Sequence, residues 1–257
     1  MLSNFQGGLL LQQKFKKMNK IYLAIIALLV SISDSYAQQD PHYTQYMYNM
    51  NVINPAYAGS KENLSMGLLY RKQWVNLDGA PSTFTFSGHA PVGKNVGMGL
   101  SVISDEIGPV KENNVFADFS YTLNLGGEHK LALGLKAGAI FHKVGLFSQV
   151  SPTLPVPQEA AFGEDTSETY LNLGVGAFYY TDKFYVALSI PNMMDAYHMD
   201  FNGVKYGSKT RHYFLTGGYV FDLNPNLKFK PFAMLKSAFD APSTLDVNAN
   251  FLIQEKL

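Results

Sequence analysis

"NVFADFSYTLNLGGEHKLALGLKAGAIFH", residues 114–142, decides the fold. Its apolar residues recur at every second position. Val115, Ala117, Phe119, Tyr121 and Leu123 share one face, opposite Phe116, Asp118, Ser120 and Thr122. After the break at Gly126-Gly127-Glu128-His129 the alternation resumes, with Leu131, Leu133, Leu135, Ala137, Ala139 and Phe141 set against Ala132, Gly134, Lys136, Gly138 and His142. Period two is the signature of a β-strand, and a Gly-containing break between two such runs signals a hairpin. Arms of roughly ten residues are long for a soluble sandwich and right for crossing a bilayer obliquely.

The pattern extends in both directions. Residues 83–89 put Phe84 and Phe86 opposite Thr83, Thr85, Ser87 and His89, and residues 171–179, 184–190, 211–221 and 245–253 read the same way. No segment after Ser60 sustains a helical period. The second faces are rich in Gly, Ser, Thr and Asn, with a few charges: Asp118, Lys136 and Asp246. If the Leu, Phe and Tyr faces meet lipid, these small polar faces meet a lumen, and they leave space there for water or for another part of the chain. Connections alternate in length. Short ones at 91–94, 126–129, 181–183 and 222–226 are interleaved with longer ones at 75–81, 104–112, 143–167, 191–209 and 237–243. Outer-membrane barrels have short periplasmic turns and long outer loops. A secreted β-sandwich would also alternate its faces, but it would not require the loop lengths to alternate. The expected fold class is therefore all-β, a transmembrane antiparallel up-and-down β-barrel with about ten strands present.

Composition agrees. Charged residues are 16% of the 257, against a globular average of roughly 25%, while aromatics reach 14%. There are no cysteines, which excludes disulfides, thiolate metal sites, a cysteine nucleophile and a lipoprotein-type anchor. Residues 1–37 carry four lysines against Asp34 alone, so the remainder holds 16 basic and 19 acidic residues, a net −3. That balance offers no footprint for nucleic acid. "KFKKMNK", an apolar run over 21–30 and Ser35-Tyr36-Ala37 read as an export signal over 1–37, cleaved between Ala37 and Gln38. Met18 is an alternative start that gives the signal its ordinary proportions. A buried core helix is the blander reading of the apolar run.

Few residues ask for chemistry. Gly97-x-Gly99, Gly134-x-x-x-Gly138 and Gly174-x-Gly176 resemble fragments of dinucleotide loops, but they lie inside strand patterns and read as small lumenal positions or strand bends. Asp195, His198 and Asp200 are close enough for a metal, yet they sit in a long loop where polar residues are expected. Glu159, Glu164, Asp165 and Glu168 read as a solvated acidic loop, or as a partner surface. No Ser–His pair has a recognisable catalytic spacing. Neither catalytic residues nor a cofactor or metal are expected.

Between the leader and the first strand, expected near Asn63, lies "QQDPHYTQYMYNMNVINPAYAGS", residues 38–60. It is too aromatic for a linker and too irregular for a strand. Pro55 fixes its own φ and holds Asn54 extended, so "NPAYAG" reads as a tight turn. Tyr43, Tyr46 and Tyr48 can pack as apolar bodies with hydroxyls on polar partners. This stretch, followed by "LLYRKQWVNLDGAPSTFTFSGHAP", "VGMGLSVISDEIGPVKENNVFADFSYTLNL", "LALGLKAG" and "LSIPNMM", strongly resembles the PorP/SprF family of Bacteroidetes type IX secretion and gliding proteins. The resemblance covers essentially the whole chain after the leader. Asp40, Pro41, Tyr43, Gln45, Tyr46, Asn54, Pro55, Ala56 and Gly59 carry its opening motif.

The resemblance implies a non-enzymatic outer-membrane barrel that contacts outer-membrane lipid and other type IX components. Such a barrel helps export, or holds at the surface, a secreted adhesin-like partner. A porin or hydrophobic-solute transporter is the alternative. We expect residues 38–62 to form a periplasmic segment that tucks into the lumen as a plug, by analogy with the Asn-Pro-Ala hatch of fatty-acid transporters. A leader ordered only by a partner is the other reading. Relatives continue past "NANFLIQEKL" with further strands, so a chain truncated from a barrel of about 14 strands is expected, with an open edge or a strained small barrel as the consequence.

Overall fold

The computed structural model describes residues 46–145, 166–194, 197–201, 204–208, 211–238 and 241–254. The leader, the cleavage pair Ala37 and Gln38, and Asp40, Pro41, Tyr43 and Gln45 lie outside these residues, as do Glu159, Glu164, Asp165 and Asp195.

Alternating sequence becomes antiparallel sheet. The strands are β1 (Ser65–Lys72), β2 (Ser82–Pro91), β3 (Val96–Ile107), β4 (Val110–Gly126), β5 (His129–Val144), β6 (Thr166–Tyr180), β7 (Phe184–Ile190), β8 (Tyr197–Phe201), β9 (Val204–Ser208), β10 (Tyr213–Tyr219), β11 (Phe221–Asn224), β12 (Leu227–Ala238) and β13 (Ala241–Ile253). Eleven of them form one sheet in which each strand lies beside its neighbour in sequence, while β8 and β9 pair only with each other. Gly218 faces Phe232 and Phe221 faces Phe229 in a single register, so β10 and β11 are one strand interrupted at Val220. The Val220 N–H bonds the Lys183 carbonyl across the break, at 2.7 Å. The sheet is thus a meander of ten ribbons.

The sheet is rolled. Ser87 on β2 donates to the Asn49 side chain, and Asn248 on β13 donates to the Tyr46 hydroxyl at 3.2 Å. Tyr46 and Asn49 are the first and fourth residues of one turn, closed by the Asn49 N–H on the Tyr46 carbonyl at 3.0 Å. From β2 to β13 there are eight strand spacings of about 4.8 Å, roughly 38 Å in a flat sheet. Both ends reach one short turn only if the sheet curls round it. It does not close: among the described residues β1 pairs with β2 alone and β13 with β12 alone. This is the open edge expected of the sequence.

Burial is inverted relative to a soluble protein. Phe119, Tyr121, Leu133, Leu135, Leu171 and Leu173 are exposed, whereas Ser101, Asn114, Asp118, Ser120, Lys136 and Asn172 are buried. The bare face carries far more contiguous apolar surface than a soluble monomer tolerates, and lipid is the solvent that suits it. Among the described residues no helix is long and apolar enough to cross a membrane.

Three expectations change. Residues 104–112 are not a long connection. β3 and β4 stay paired through Asp105–Glu112 and Ile107–Val110, turning on Gly108 and Pro109 alone. Gly108 has φ +55°, and Lys111 and Glu106 form an ion pair of 2.8 Å across the arm. Period two continues there with polar residues on both faces, which disguises strand as loop. The 237–243 connection shortens in the same way, with β12 reaching Ala238 and β13 starting at Ala241. The 191–209 connection holds the β8–β9 hairpin, on whose backbone His198 and Asp200 lie.

Candidate functional site

Register builds the site before any side chain is considered. Because cross-strand partners on one face stand side by side, a residue type repeated at one level of successive strands makes a row. On the covered face Gly97 of β3, Ser120 of β4, Gly134 of β5, Gly176 of β6 and Ser189 of β7 are such a row. One step further along the strands runs a second row, His89, Gly99, Asp118, Lys136 and Gly174. The first row is almost without side chains. The second carries a cation–anion pair.

Residues 46–60 lie on these rows. A 3₁₀ turn at Tyr46–Tyr48, one helical turn at Met50–Ile53 and a 3₁₀ turn at Pro55–Tyr57 follow one another. Asn54 is extended at φ −138° and ψ 109°, as the residue before proline must be, and its side chain accepts the Ala56 N–H at 2.9 Å. Burial selects what packs: Met50, Val52, Ile53, Pro55 and Ala56 are all buried. Tyr46 is buried edge-on to Phe232, 5.7 Å between centroids, but Tyr48 is 59% exposed. Two residues apart in so tight a turn, the two rings point to opposite sides, so Tyr48 does not pack as expected.

The glycine row fits this backbone closely. A Cβ on Gly134 would overlap the Ala56 nitrogen and Pro55 carbonyl carbon, one on Gly176 the Asn54 side chain, and one on Gly97 the Ala58 carbonyl. Gly59 turns at φ +69° against Gly97, a conformation that favours glycine.

Polar groups that burial would otherwise strand find partners in both rows. Ser189 donates to the Ile53 carbonyl at 2.7 Å, Ser120 to the Ala58 carbonyl, and the Asn54 amide to the Ala177 carbonyl at 3.1 Å. The Gly59 N–H donates to Nδ1 of His89 at 3.2 Å, which fixes that nitrogen as the unprotonated one. Deepest of all is a charged knot. Lys136 Nζ is 2.7 Å from Asp118 Oδ1, with both side chains fully buried. The Asn51 amide donates to Asp118 Oδ2 at 3.0 Å, while Lys136 donates back to the Asn51 carbonyl at 3.4 Å and lies 5.2 Å from the Phe116 ring centroid. Burial raises the Tyr57 hydroxyl above its ordinary value against a hydrogen bond from Ser60, and raises Tyr46 against one from Asn248.

Of the motif residues named from sequence, Tyr46, Asn54, Pro55, Ala56 and Gly59 come together here; Asp40, Pro41, Tyr43 and Gln45 lie outside the described residues. Sequence reasoning missed Asn49, Asn51 and Ile53, and it saw Asp118 and Lys136 only as lumenal charges. A glycine or serine at mutually paired positions of five adjacent strands is the signal, and it shows only once the strands are aligned. What this arrangement does is hold a backbone.

No curated protein matches the chain. A family model does, that of the type IX secretion system membrane protein PorP/SprF, over residues 35–257. With that match across nearly its whole length and a sheet whose apolar residues face outward, the chain belongs to the PorP/SprF family of type IX secretion system membrane proteins.

Proposed function

We propose that the protein is a non-enzymatic β-barrel component of the outer membrane that helps export, or retain at the cell surface, a secreted adhesin-like partner, and that residues 46–60 plug it. Family membership makes it a type IX secretion membrane component. The observation that carries the finer reading is the seat of residues 54–58, where Gly97, Gly134 and Gly176 on three strands leave room for Asn54, Pro55, Ala56 and Ala58. An open porin has no use for a surface cut to one internal segment. A closed scaffold does, because it must present loops to a partner without letting solutes leak.

The test has two arms. Deleting the gene should release the surface adhesin into the medium or trap it in the periplasm, with general permeability unchanged, and the tagged protein should retain that adhesin on pull-down. A steady pore from the intact protein in planar bilayers, with adhesin display unaffected by the deletion, would favour a porin or hydrophobic-solute transporter instead.

A further inference from the structure

The end of the sheet that carries the turns at 92–95 and 181–183 also holds two clefts that share Lys61. The first, about 220 Å³, is walled by Tyr57, Phe178, Tyr180 and Tyr185, with Lys61, Lys183 and Lys230 at its rim. The second, about 190 Å³, shares Ser60, Lys61 and Tyr180 with it and adds Lys94 and Lys130. Five lysines thus meet two carboxylates, Glu62 and Asp182, in the combined lining, although the chain after residue 37 is net acidic. Lys183 is answered by Asp222 at 3.1 Å. Among the described residues Lys61, Lys94 and Lys230 have no carboxylate within ion-pair distance, and the charge of Lys61 bears directly on Lys230. Like charges held together repel, and a mobile surface would spread them. Here the backbone of Lys230 is set by β12 and that of Lys61 by the turn that leaves the seat, so the two lysines start from fixed positions on one cleft.

From this we infer that the double cleft is a docking site for an acidic segment of a partner protein, with one aromatic or large apolar side chain entering the first cleft. Charge complementarity supplies the attraction and orientation. The apolar walls supply the anchor: buried Phe178 stacks on Tyr180 at 4.8 Å and meets Tyr57 edge-on at 5.3 Å, and the half-buried Tyr57, Tyr180 and Tyr185 offer the cleft their remaining ring surface. An acidic peptide is favoured over an anionic lipid because Met50, Tyr57, Phe178 and Tyr185 belong to the segment and to the covered face of the sheet, whereas acyl chains lie against the bare one. The site is independent of the export reading, and its occupant need not be the cargo. Because segment and cleft share Tyr57 and Ser60, a docked peptide would also hold the segment in its seat.

The test is binding of a fluorescent synthetic peptide of alternating Asp and Glu around one Trp to the purified full-length protein in detergent. Measurable binding is expected, weakening as salt rises from 50 to 300 mM as screening shortens. Lys61→Ala and Lys230→Ala should each weaken it about threefold to tenfold. Lys94→Glu, in an exposed turn where folding is not at stake, should do the same, and Lys111→Ala at the opposite end should not. Replacing Trp by Ala in the peptide should cost at least as much as one lysine. Equal binding of a Lys/Arg peptide of the same design, or indifference to all three cleft substitutions, would overturn the assignment. So would full displacement of the peptide by phosphatidylglycerol vesicles, which would make this a lipid site.

Discussion

Among the described residues Lys136 and Asp118 are each other's only counter-charge, and both are fully buried. Taking a charge out of water costs several kcal/mol, and the pair is tolerated because it is short and its spare hydrogen-bonding capacity goes to Asn51. Lys136→Met leaves Asp118 buried and unpaired, so a loss of about 3–5 kcal/mol is expected in urea unfolding of the detergent-solubilised protein. Lys136→Met with Asp118→Leu should recover most of that loss, because an apolar pair of similar volume costs the sheet little. The double variant should nonetheless hold residues 46–60 less firmly, since Asn51 has lost its acceptor, and limited proteolysis within that stretch reads this separately. Gly134 poses a steric problem of the same locality. In Gly134→Val the added carbons occupy the space of the Ala56 nitrogen, and one strand of the sheet cannot yield for them. The expected outcome is a folded sheet with the segment unseated and cleaved by protease. Gly93→Val, where a Cβ meets only ordinary contacts with Val96, should leave the segment protected.

Among the elements, the three consecutive turns of residues 46–57 are too short to persist alone, since helices of this length are marginal in water. Their stability is borrowed from the sheet and from two neutral tyrosines. Burial places the folded values of Tyr46 and Tyr57 above their ordinary value near 10. Their contribution is therefore fully present below about pH 10 and is lost as pH rises through the raised folded values. Protection of the segment from protease should hold at pH 8 and fail progressively above pH 10, and Tyr57→Phe, which has no proton to lose, should delay that failure to higher pH. These turns also mark the limit of what the sequence discloses. Period two located nearly every strand, because alternation is a local property of a half-buried ribbon. It failed at Asp105 to Glu112, where the arm projects beyond its apolar level and both faces turn polar. Asn54-Pro55 disclosed its turn because proline acts on its immediate neighbour. The rows of Gly97, Ser120, Gly134, Gly176 and Ser189 are another matter. They exist only once five strands are aligned, and one slip of register would scatter them.

In the whole molecule, the rolled sheet carries apolar residues outside and small or charged ones within. Walls of eight strands are filled by their own side chains, whereas those of 16 or more leave an aqueous channel. Ten ribbons fall between these cases, and glycine and serine at the inner positions push this one towards an open interior. The space so made is taken up by the chain itself, through Met50, Ile53, Pro55 and Ala56. Permeability should therefore depend on the segment rather than on the number of strands. In planar bilayers the intact protein should be silent or nearly so, and deletion of residues 46–58 should give a steady conductance. Gly134→Val should give an intermediate, flickering one, because its segment is unseated yet still tethered to β1. The order matters more than any single conductance: if the intact and deleted proteins conduct equally, whether both are open or both are closed, then something other than this segment governs the interior.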